Sequence, residues 1–318
     1  MRIEPVEDST EKKQKEKVPR DSIKVIALAK NYQMYKDQSG TSYAFVRGRS
    51  IPIDGKQFQN ILTNDFYKSE KYPAGREAIN LAISVLSAQT AEEGLEKRLE
   101  LRVYRDNDTI YYDLCNGRVV RISGKEWSVE PAKPMFRSMP HQKVQVEPTH
   151  DGDIHKFFDY VNVPEHSKLI MLCYLVACFI PDIARPILHP IGSQGTGKTT
   201  KAKAIRALID PSNADALITS KDENEVKLNL YNNYYPVFDN LSGIDSRLSD
   251  ILSQAVTGCG FENRELYSNN AVRTYYLQRT MCLTGITCVI KKPDLMERVL
   301  LMPLERIDES DRKEERLF

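Results

Sequence analysis

Apolar residues recur at helical spacing in the first third of the chain and at strand spacing after it. Helical spacing covers residues 22–35, 57–66 and 76–90, which predicts three helices. Short β-type runs follow between residues 101 and 129, and turn pairs such as Asn116-Gly117 and Ser123-Gly124 separate them. This second pattern predicts a small antiparallel meander of about four strands.

From residue 187 onward, apolar strands alternate with helical patterns. The predicted strands are 187–191, 235–239, 265–267, 274–278, 280–284 and 299–304, and the predicted helices are 198–209, 223–231 and 246–256. Such alternation predicts an α/β domain with a mainly parallel sheet. Just before it, residues 154–161 have helical spacing, and residues 165–180 are so continuously apolar that they predict a buried helix.

These patterns divide the chain into successive regions. Residues 1–20 carry six basic and five acidic residues without an apolar core, so we expect a disordered, solvated tail. The predicted organisation is this tail, an N-terminal α+β domain at 21–130, a proline-rich linker at 131–152, a helical segment at 153–185 that packs on the next domain, and an α/β domain at 186–318.

Composition excludes several classes of protein. With 41% apolar and 28% charged residues, the chain is neither disordered nor fibrous. Its longest apolar stretch, residues 169–180, is shorter than the roughly 20 residues of a membrane-spanning helix. The cysteines form no C-x-x-C pair, and Cys173, Cys178 and Cys282 have apolar neighbours, which indicates buried reduced thiols and a cytoplasmic protein. A net charge of +1 means that nucleic-acid binding would depend on a few placed cations.

The strongest chemical signal is a glycine-rich loop between a predicted strand and a predicted helix. It matches the phosphate-binding pattern G-x-x-x-x-G-K-[ST], whose glycines let main-chain N–H groups face phosphates at a helix N-terminus. We expect Lys198 to reach the β- and γ-phosphates of ATP and Thr199 to bind Mg²⁺. The candidate nucleotide-binding residues are Gly192, Ser193, Gln194, Gly195, Thr196, Gly197, Lys198, Thr199 and, at a helix or base-proximal position, Thr200.

A second magnesium ligand is expected where a neighbouring apolar strand ends in a carboxylate. Residues 235–239 form such a pattern, so Asp239 is the candidate ligand. The alternative is that Asp239 only caps the turn after the strand. Asn240 follows, and its amide can orient a water molecule but cannot accept its proton at neutral pH.

Several segments together resemble one family of ATPases. They are the loop at 192–199, Val-Phe-Asp-Asn-Leu-Ser at 237–242, Ala-Val-Thr-Gly-Cys-Gly at 255–260, Arg-Glu-Leu-Tyr at 264–267, Cys-Leu-Thr-Gly at 282–285 and Asp-Leu-Met-Glu-Arg at 294–298. The region resembles the ATPase domain of superfamily 3 helicases of small viruses, phages, plasmids and mobile islands, and most of all the bacterial phage-type "ATP-binding protein" branch. The resemblance implies an AAA+-like P-loop fold, a homo-oligomer in the form of a hexameric ring, ATP at subunit interfaces, and single-stranded or forked DNA in the channel.

The resemblance also implies individual residue roles. Thr284 occupies the position of the polar sensor, and Arg298 that of the arginine finger that reaches the γ-phosphate on a neighbouring subunit. Alternatively, Arg298 only complements a helix C-terminus. A hairpin flanked by Arg264, Arg273 and Arg279 would contact DNA, and the candidate DNA-binding residues are Arg264, Asn269, Asn270 and Arg273.

The leading hypothesis is therefore an ATP-hydrolysing, DNA-dependent ring ATPase that acts as the replicative helicase of a mobile element. Two alternatives remain: a nucleotide-gated DNA-binding scaffold without unwinding activity, and a P-loop phosphotransferase for small molecules. Three features depart from the family. The tip of the predicted hairpin is Asn269-Asn270 and has no lysine. Pro190 stands in the strand before the loop, where a missing N–H is disfavoured. The chain also ends at Phe318, soon after the last predicted strand, so the ATPase domain is expected to be C-terminally truncated.

Overall fold

The computed structural model describes residues 20–220, 222–264 and 272–306. Except for Arg20, the predicted tail lies outside the described residues. The predicted strand at 265–267 and the candidate DNA-binding residues Asn269 and Asn270 also lie outside them.

The N-terminal region combines helices with a small sheet. Its elements are α1 (Arg20–Ala29), β1 (Gln33–Asp37), β2 (Ser42–Val46), β3 (Arg49–Pro52), α2 (Lys56–Glu70), α3 (Arg76–Glu93) and β4 (Glu96–Lys97). The sheet order is β3-β2-β1-β4. The predicted helix at 22–35 is wrong beyond Ala29, because the chain turns there and residues 33–36 pair antiparallel with residues 42–45.

The predicted meander is confirmed as a separate sheet. It consists of β5 (Val103–Asp106), β6 (Thr109–Asp113), β7 (Arg118–Ser123) and β8 (Glu126–Pro131), each antiparallel to the next. Gly48 and Gly117 bring this sheet close to the β2–β3 turn, because a Cβ atom on Gly48 would lie 2.5 Å from the Gly117 Cα. Glycine is therefore needed where the two turns meet.

The second half of the chain alternates strands and helices around a parallel sheet. After short 3₁₀ turns at Ile154–Asp159 and Glu165–Ser167 come α4 (Lys168–Ala177), β9 (Ile187–Ile191), α5 (Lys198–Ile209), α6 (Glu223–Asn232), β10 (Val237–Leu241), α7 (Ser246–Thr257), β11 (Cys259–Arg264), β12 (Val272–Leu277), β13 (Cys282–Gly285), α8 (Pro293–Met296) and β14 (Val299–Pro303). The sheet order is β10-β13-β9-β14, and every neighbouring pair is parallel. The predicted mixed α/β class is confirmed.

Strand β10 begins and ends two residues later than the sequence pattern predicts. The main-chain N–H groups of Tyr234 and Tyr235 donate to the Asp210 carboxylate, and Pro236 has no N–H to offer a neighbouring strand. Asp239 therefore lies within β10 and not at its end. The strand is irregular just after it, where Asn240 has a left-handed φ of 56°.

One hydrophobic core joins the meander to the α/β sheet. It includes Leu101 and Tyr112 from the meander region, Met171 from α4, and Ile205 and Tyr235 from the α/β region. The segment predicted as a linker packs between these parts: the Lys143 N–H donates to the Pro211 carbonyl and the Gln145 N–H to the Leu114 carbonyl. The meander thus supports the helix that follows the glycine-rich loop.

The helix predicted at 165–180 is present as α4 at Lys168–Ala177, but the prediction that it is buried is wrong. In α4, Met171, Tyr174 and Leu175 are buried, whereas Leu169 is 74% exposed and Val176 is 61% exposed. Cys173 is likewise exposed, unlike the buried Cys178 and Cys282. Only one stripe of this helix faces the core, because it lies on the surface of the α/β region. No helix among the described residues is long and apolar enough to cross a membrane.

Candidate nucleotide-binding site

The glycine-rich loop links the end of β9 to the start of α5. Gly195 and Gly197 adopt left-handed φ angles of 80° and 75°, where residues with a side chain are strained. A Cβ atom on Gly192 would lie 2.9 Å from the Leu304 carbonyl oxygen just after β14. The glycines therefore allow a tight loop that packs against the end of a neighbouring strand.

The Lys198 ammonium group lies over this loop. Its Nζ donates to the carbonyl oxygens of Gly192 (2.7 Å) and Ser193 (2.8 Å). Partial burial lowers the pKa of Lys198, and the nearby negative charge of Asp239 opposes that shift. Within the described part of the chain, the main-chain N–H groups of residues 193–197 make no hydrogen bond with protein. The loop thus has a cation and unpaired donors, which are the groups that bind phosphate.

A polar cluster lies next to the loop, where β10 and β13 end beside α5. The Thr199 hydroxyl donates to Asp239 Oδ1 at 3.1 Å, and the Thr284 hydroxyl donates to the same oxygen. The Asn240 N–H donates to the Thr284 hydroxyl at 2.9 Å. The structure therefore brings together Lys198, Thr199, Asp239, Asn240 and Thr284.

The chemistry of this cluster fits a magnesium ion. Mg²⁺ prefers hard oxygen ligands and few of them from protein, and Thr199 and Asp239 offer a hydroxyl and a carboxylate oxygen side by side. Within the described residues, no cluster of three or more His, Cys, Asp or Glu residues provides another metal site. Thr199 and Asp239 are therefore the pair that would hold the ion.

A histidine that the sequence analysis did not select compensates for Pro190. The Leu188 N–H donates to the Met281 carbonyl, and the next bond of this ladder, from residue 190 to the Leu283 carbonyl, is impossible for proline. The buried His189 ring supplies the missing hydrogen bond, because its Nδ1 lies 2.7 Å from the Leu283 oxygen. Its Nε2 accepts from the Val289 N–H at 3.3 Å. These partners assign the proton to Nδ1, and burial lowers the pKa of His189.

Asn162 is a second residue that the sequence analysis missed. Its side-chain amide donates to the Thr196 carbonyl of the loop at 3.3 Å and to the Glu305 carbonyl at 2.8 Å. It thereby ties the loop to the chain that leaves β14. No local pattern marks Asn162, because its partners are distant in sequence.

Arg298 lies far from this cluster. It directly precedes β14, which pairs with β9 from Val299–Ile187 to Pro303–Ile191, so Arg298 and the loop occupy opposite ends of these strands. At ~3.3 Å per residue, the two ends are roughly 13 Å apart. Arg298 donates through Nη1 to the Asp294 carboxylate at 2.6 Å, and its buried Nε has no partner among the described residues.

The predicted hairpin near Arg264 and Arg273 is present as β11 and β12. The main chain of Arg264 pairs with Val272, and that of Arg273 pairs with Asn263. Arg279, which was expected beside this hairpin, is 8% exposed. Its Nε donates to the Leu230 carbonyl at 3.2 Å, which holds the guanidinium against the end of α6.

Comparison with known proteins places the chain in a family. The sequence model of the actinomycete integrative conjugative element replication protein matches residues 154–318, just over half of the chain. No curated protein matches the chain.

Solved structures with similarity to the chain include a helicase and the C-terminal region of NrS-1. JCV helicase in complex with a thiazolopyridine compound has 14% identity and a TM-score of 0.33, over 48% of this chain and 46% of that one. The apo C-terminal region of NrS-1 has 11% identity and a TM-score of 0.45, over 91% and 63%, and its A form has 11% and 0.44, over 87% and 59%. The chain thus spans less than two thirds of each structure. From the family match, the chain belongs to the actinomycete integrative conjugative element replication protein family.

Proposed function

We propose that this chain is an ATP-hydrolysing, DNA-dependent ring ATPase with a P-loop, AAA+-like fold, and that it acts as the replicative DNA helicase of its element. The observation that carries the proposal is the contact between Thr199 and Asp239, which are 40 residues apart in sequence and only 3.1 Å apart in space. Together with Lys198 on the same helix, this contact supports a site for a nucleotide and a magnesium ion.

The residues of the loop would bind and orient the phosphates. The unpaired N–H groups of residues 193–197 would donate to phosphate oxygens. Lys198 would give up its hydrogen bonds to the loop carbonyls and bind the β- and γ-phosphates instead. Bound between Thr199 and Asp239, Mg²⁺ would neutralise charge on the phosphates. Because Thr199 and Thr284 both donate to Asp239, the carboxylate is held in place for this ion.

Two further residues would position the water that attacks the γ-phosphate. The Asn240 side chain is exposed beside the cluster, and its amide can orient a water molecule. Thr284 fixes the Asn240 main chain through its hydroxyl. These contacts support the sensor position that the resemblance to superfamily 3 helicases implies for Thr284.

Among the described residues, Lys198 is the cation that contacts the loop. Arg298 lies at the other end of the sheet, so an arginine finger at this position would act on the site of a neighbouring subunit. This geometry supports a homo-oligomeric ring, with single-stranded or forked DNA as the partner in its channel.

The decisive experiment measures ATP hydrolysis with and without single-stranded DNA, together with the size of the protein in ATP and Mg²⁺. The proposal predicts hydrolysis that DNA stimulates and an ATP-dependent oligomer. Hydrolysis that ignores DNA, with phosphate transfer to a small molecule, would support a phosphotransferase instead.

Asn240 favours one alternative, a nucleotide-gated DNA-binding scaffold, because an amide stands where a carboxylate would accept the proton of water. Under that alternative, ATP would bind and change DNA affinity, but strand displacement would be absent. A strand-displacement assay on a forked DNA substrate therefore distinguishes the scaffold from the helicase.

A further inference from the structure

An arginine-rich cavity of about 690 Å³ lies between the N-terminal region and the base of the β11–β12 hairpin. Arg98 and Arg105 line it from the N-terminal side. Two arginines line it from the α/β side: Arg185, in the connection between α4 and β9, and Arg279, which follows β12. Arg137 lines it from the segment between the two sides. Its size falls in the range of sites for small ligands.

Positive charge in this cavity is not balanced by its carboxylates. Five arginines line it, against the acidic residues Glu96, Glu100 and Asp182. Arg98 pairs with two of these acids, with Glu100 at 2.8 Å and Asp182 at 3.0 Å. In the described part of the chain, the other four arginines have no carboxylate within ion-pair distance. The cavity therefore has an excess of guanidinium charge, which attracts an anion.

The inner wall of the cavity contains guanidinium groups that hydrogen-bond to neutral atoms, and not all of their N–H groups have a hydrogen-bond partner. Arg185 is 4% exposed; its Nη1 donates to the Ile180 carbonyl at 2.7 Å, and its Nε is buried without a partner. Arg279 bonds to main-chain carbonyls. Burial lowers the pKa of Arg279; the charge of Glu100 opposes this shift, whereas the charges of Arg137 and Arg185 act in the same direction as burial. A bound phosphate would relieve this repulsion and supply an acceptor.

The outer wall has an arginine side chain and an exposed tyrosine side chain. The Arg105 side chain is half-buried and makes no hydrogen bond or ion pair with the described residues. Tyr276, the next-to-last residue of β12, is 65% exposed although it lines the cavity. An exposed tyrosine next to guanidinium groups is the combination that binds a nucleotide, with its base stacked on the ring and its phosphate paired with arginine.

We propose that this cavity binds one nucleotide unit of single-stranded DNA, with the phosphate held by Arg105, Arg185 and Arg279 and the base stacked on Tyr276. The inference rests on the DNA-directed part of the proposed function and does not require ATP. It places the DNA strand at the base of the β11–β12 hairpin, on the side that faces the N-terminal region.

The test measures binding of a fluorescent oligo-dT to the full chain without ATP or Mg²⁺, over a range of salt concentrations. Arg105→Gln changes a half-buried side chain and Tyr276→Ser an exposed one, and neither belongs to a hydrophobic core, so the fold should be retained. Arg105→Gln should reduce the slope of log affinity against log salt by about 0.7, the value for one phosphate contact with a single strand. Tyr276→Ser should weaken binding roughly 5-fold or more without changing this slope, and Tyr276→Phe should restore binding.

Matched controls and a second readout separate this site from general effects. Arg118→Gln on β7 and Tyr67→Ser on α2 remove an exposed arginine and an exposed tyrosine outside the cavity, and should bind as the parent does. An oligonucleotide that contains 5-iodouracil should cross-link to Tyr276 on irradiation. Unchanged affinity and slope in both cavity variants, or cross-links only elsewhere, would overturn the proposal.

A competition experiment distinguishes single-stranded DNA from a free nucleotide as the ligand of the cavity. If deoxythymidine monophosphate binds with the same dependence on Arg105 and Tyr276 while the oligonucleotide does not, the assignment to DNA is overturned. Hydrolysis of ATP by the same variants, measured without DNA, is a separate readout. If the parent does not hydrolyse ATP, the proposed ATPase is contradicted. If the variants bind the oligonucleotide as the parent does, only the proposed cavity site is contradicted.

Discussion

The ammonium group of Lys198 is the residue-scale feature on which the proposed ATPase depends. Among the described residues, it hydrogen-bonds to Gly192, Ser193 and Thr196 of its own loop and belongs to no hydrophobic core. We therefore expect Lys198→Ala to abolish ATP hydrolysis and weaken nucleotide binding while the protein stays folded. Steady-state hydrolysis and circular dichroism would check both parts.

Lys203→Ala, on the same helix, is the matched control and should hydrolyse ATP like the parent. If Lys198→Ala also hydrolysed ATP like the parent, the nucleotide would bind elsewhere, and the loop would have a structural role only.

The His189 ring makes stability depend on pH. Its folded form is neutral, with Nε2 as an acceptor, and its pKa in the fold is lowered from the ordinary value. The unfolded chain therefore takes up the proton first, so the free energy of unfolding should fall as pH drops below about 6.5. The loss should not exceed about 1.4 kcal/mol for each pH unit.

Urea unfolding at pH 7 and at pH 5 would measure this dependence. His189→Leu should lower the free energy of unfolding by about 1–3 kcal/mol at pH 7, because the Leu283 carbonyl and the Val289 N–H lose their hydrogen-bond partner. The variant should also lose the His189 part of the pH dependence, whereas the part due to His141, whose pKa burial also lowers, remains. An unchanged pH dependence in the variant would contradict the assigned tautomer.

At the scale of elements, Arg102 links the meander to the end of α5. The side chain is fully buried; Nε donates to Asp210 at 3.0 Å, and the other nitrogens bond to main-chain carbonyls of residues 113, 143 and 211. Arg102→Ala would leave the Asp210 charge buried without its partner, which typically costs about 3–5 kcal/mol. Arg98→Ala, which removes two partly exposed ion pairs, should lower the free energy of unfolding by only about 0–1 kcal/mol for each pair. Denaturant titrations of both variants would show whether this difference holds.

The β11–β12 hairpin is the element that we expect to contact the DNA backbone in a ring. Because net charge is only +1, a single subunit should bind DNA weakly. Replacing Arg264 or Arg273 with glutamine should reduce the salt dependence of binding by the assembled ring. Tight binding by a monomer that ignores both substitutions would contradict this expectation.

Local signals predicted the elements that carry the loop, and tertiary contacts decided the rest. The pattern at 192–199 is contiguous, so the predicted helix at 198–209 coincides with α5. Asp239 was found because an apolar run precedes a carboxylate, although the strand itself is shifted by Pro236 and Asp210. In contrast, β1 to β3 are short strands whose pairing depends on one another.

The residues that sequence analysis missed share a physical cause. His189 and Asn162 act on partners that are distant in sequence, and the cavity collects arginines from separate segments of the chain. No spacing rule marks such residues, since only the packed sheet brings the partners together. The exposed side of α4 was misjudged for the same reason, because apolar composition does not tell which face finds a neighbour.

At the scale of the whole molecule, the parallel sheet separates two parts of the proposed catalytic machinery. The loop, Thr199 and Asp239 lie at the carboxyl ends of the strands, whereas Arg298 precedes β14 at the opposite end. A guanidinium on a flexible side chain cannot cover that distance within one subunit. In a ring, the same separation would place Arg298 of one subunit at an interface with the next.

Hydrolysis should therefore require neighbouring subunits, which a mixing experiment can test. Arg298→Ala and Lys198→Ala should each be nearly inactive alone, because an arginine supplied by a neighbour is commonly worth about 10³ to 10⁵ in turnover. Mixed rings contain interfaces where an intact loop faces an intact Arg298, so combining the two variants should restore part of the activity. Turnover per subunit of the parent should also rise with protein concentration. A rate independent of concentration, with no rescue on mixing, would show that Arg298 does not act across an interface and would favour a phosphotransferase that works as a single subunit.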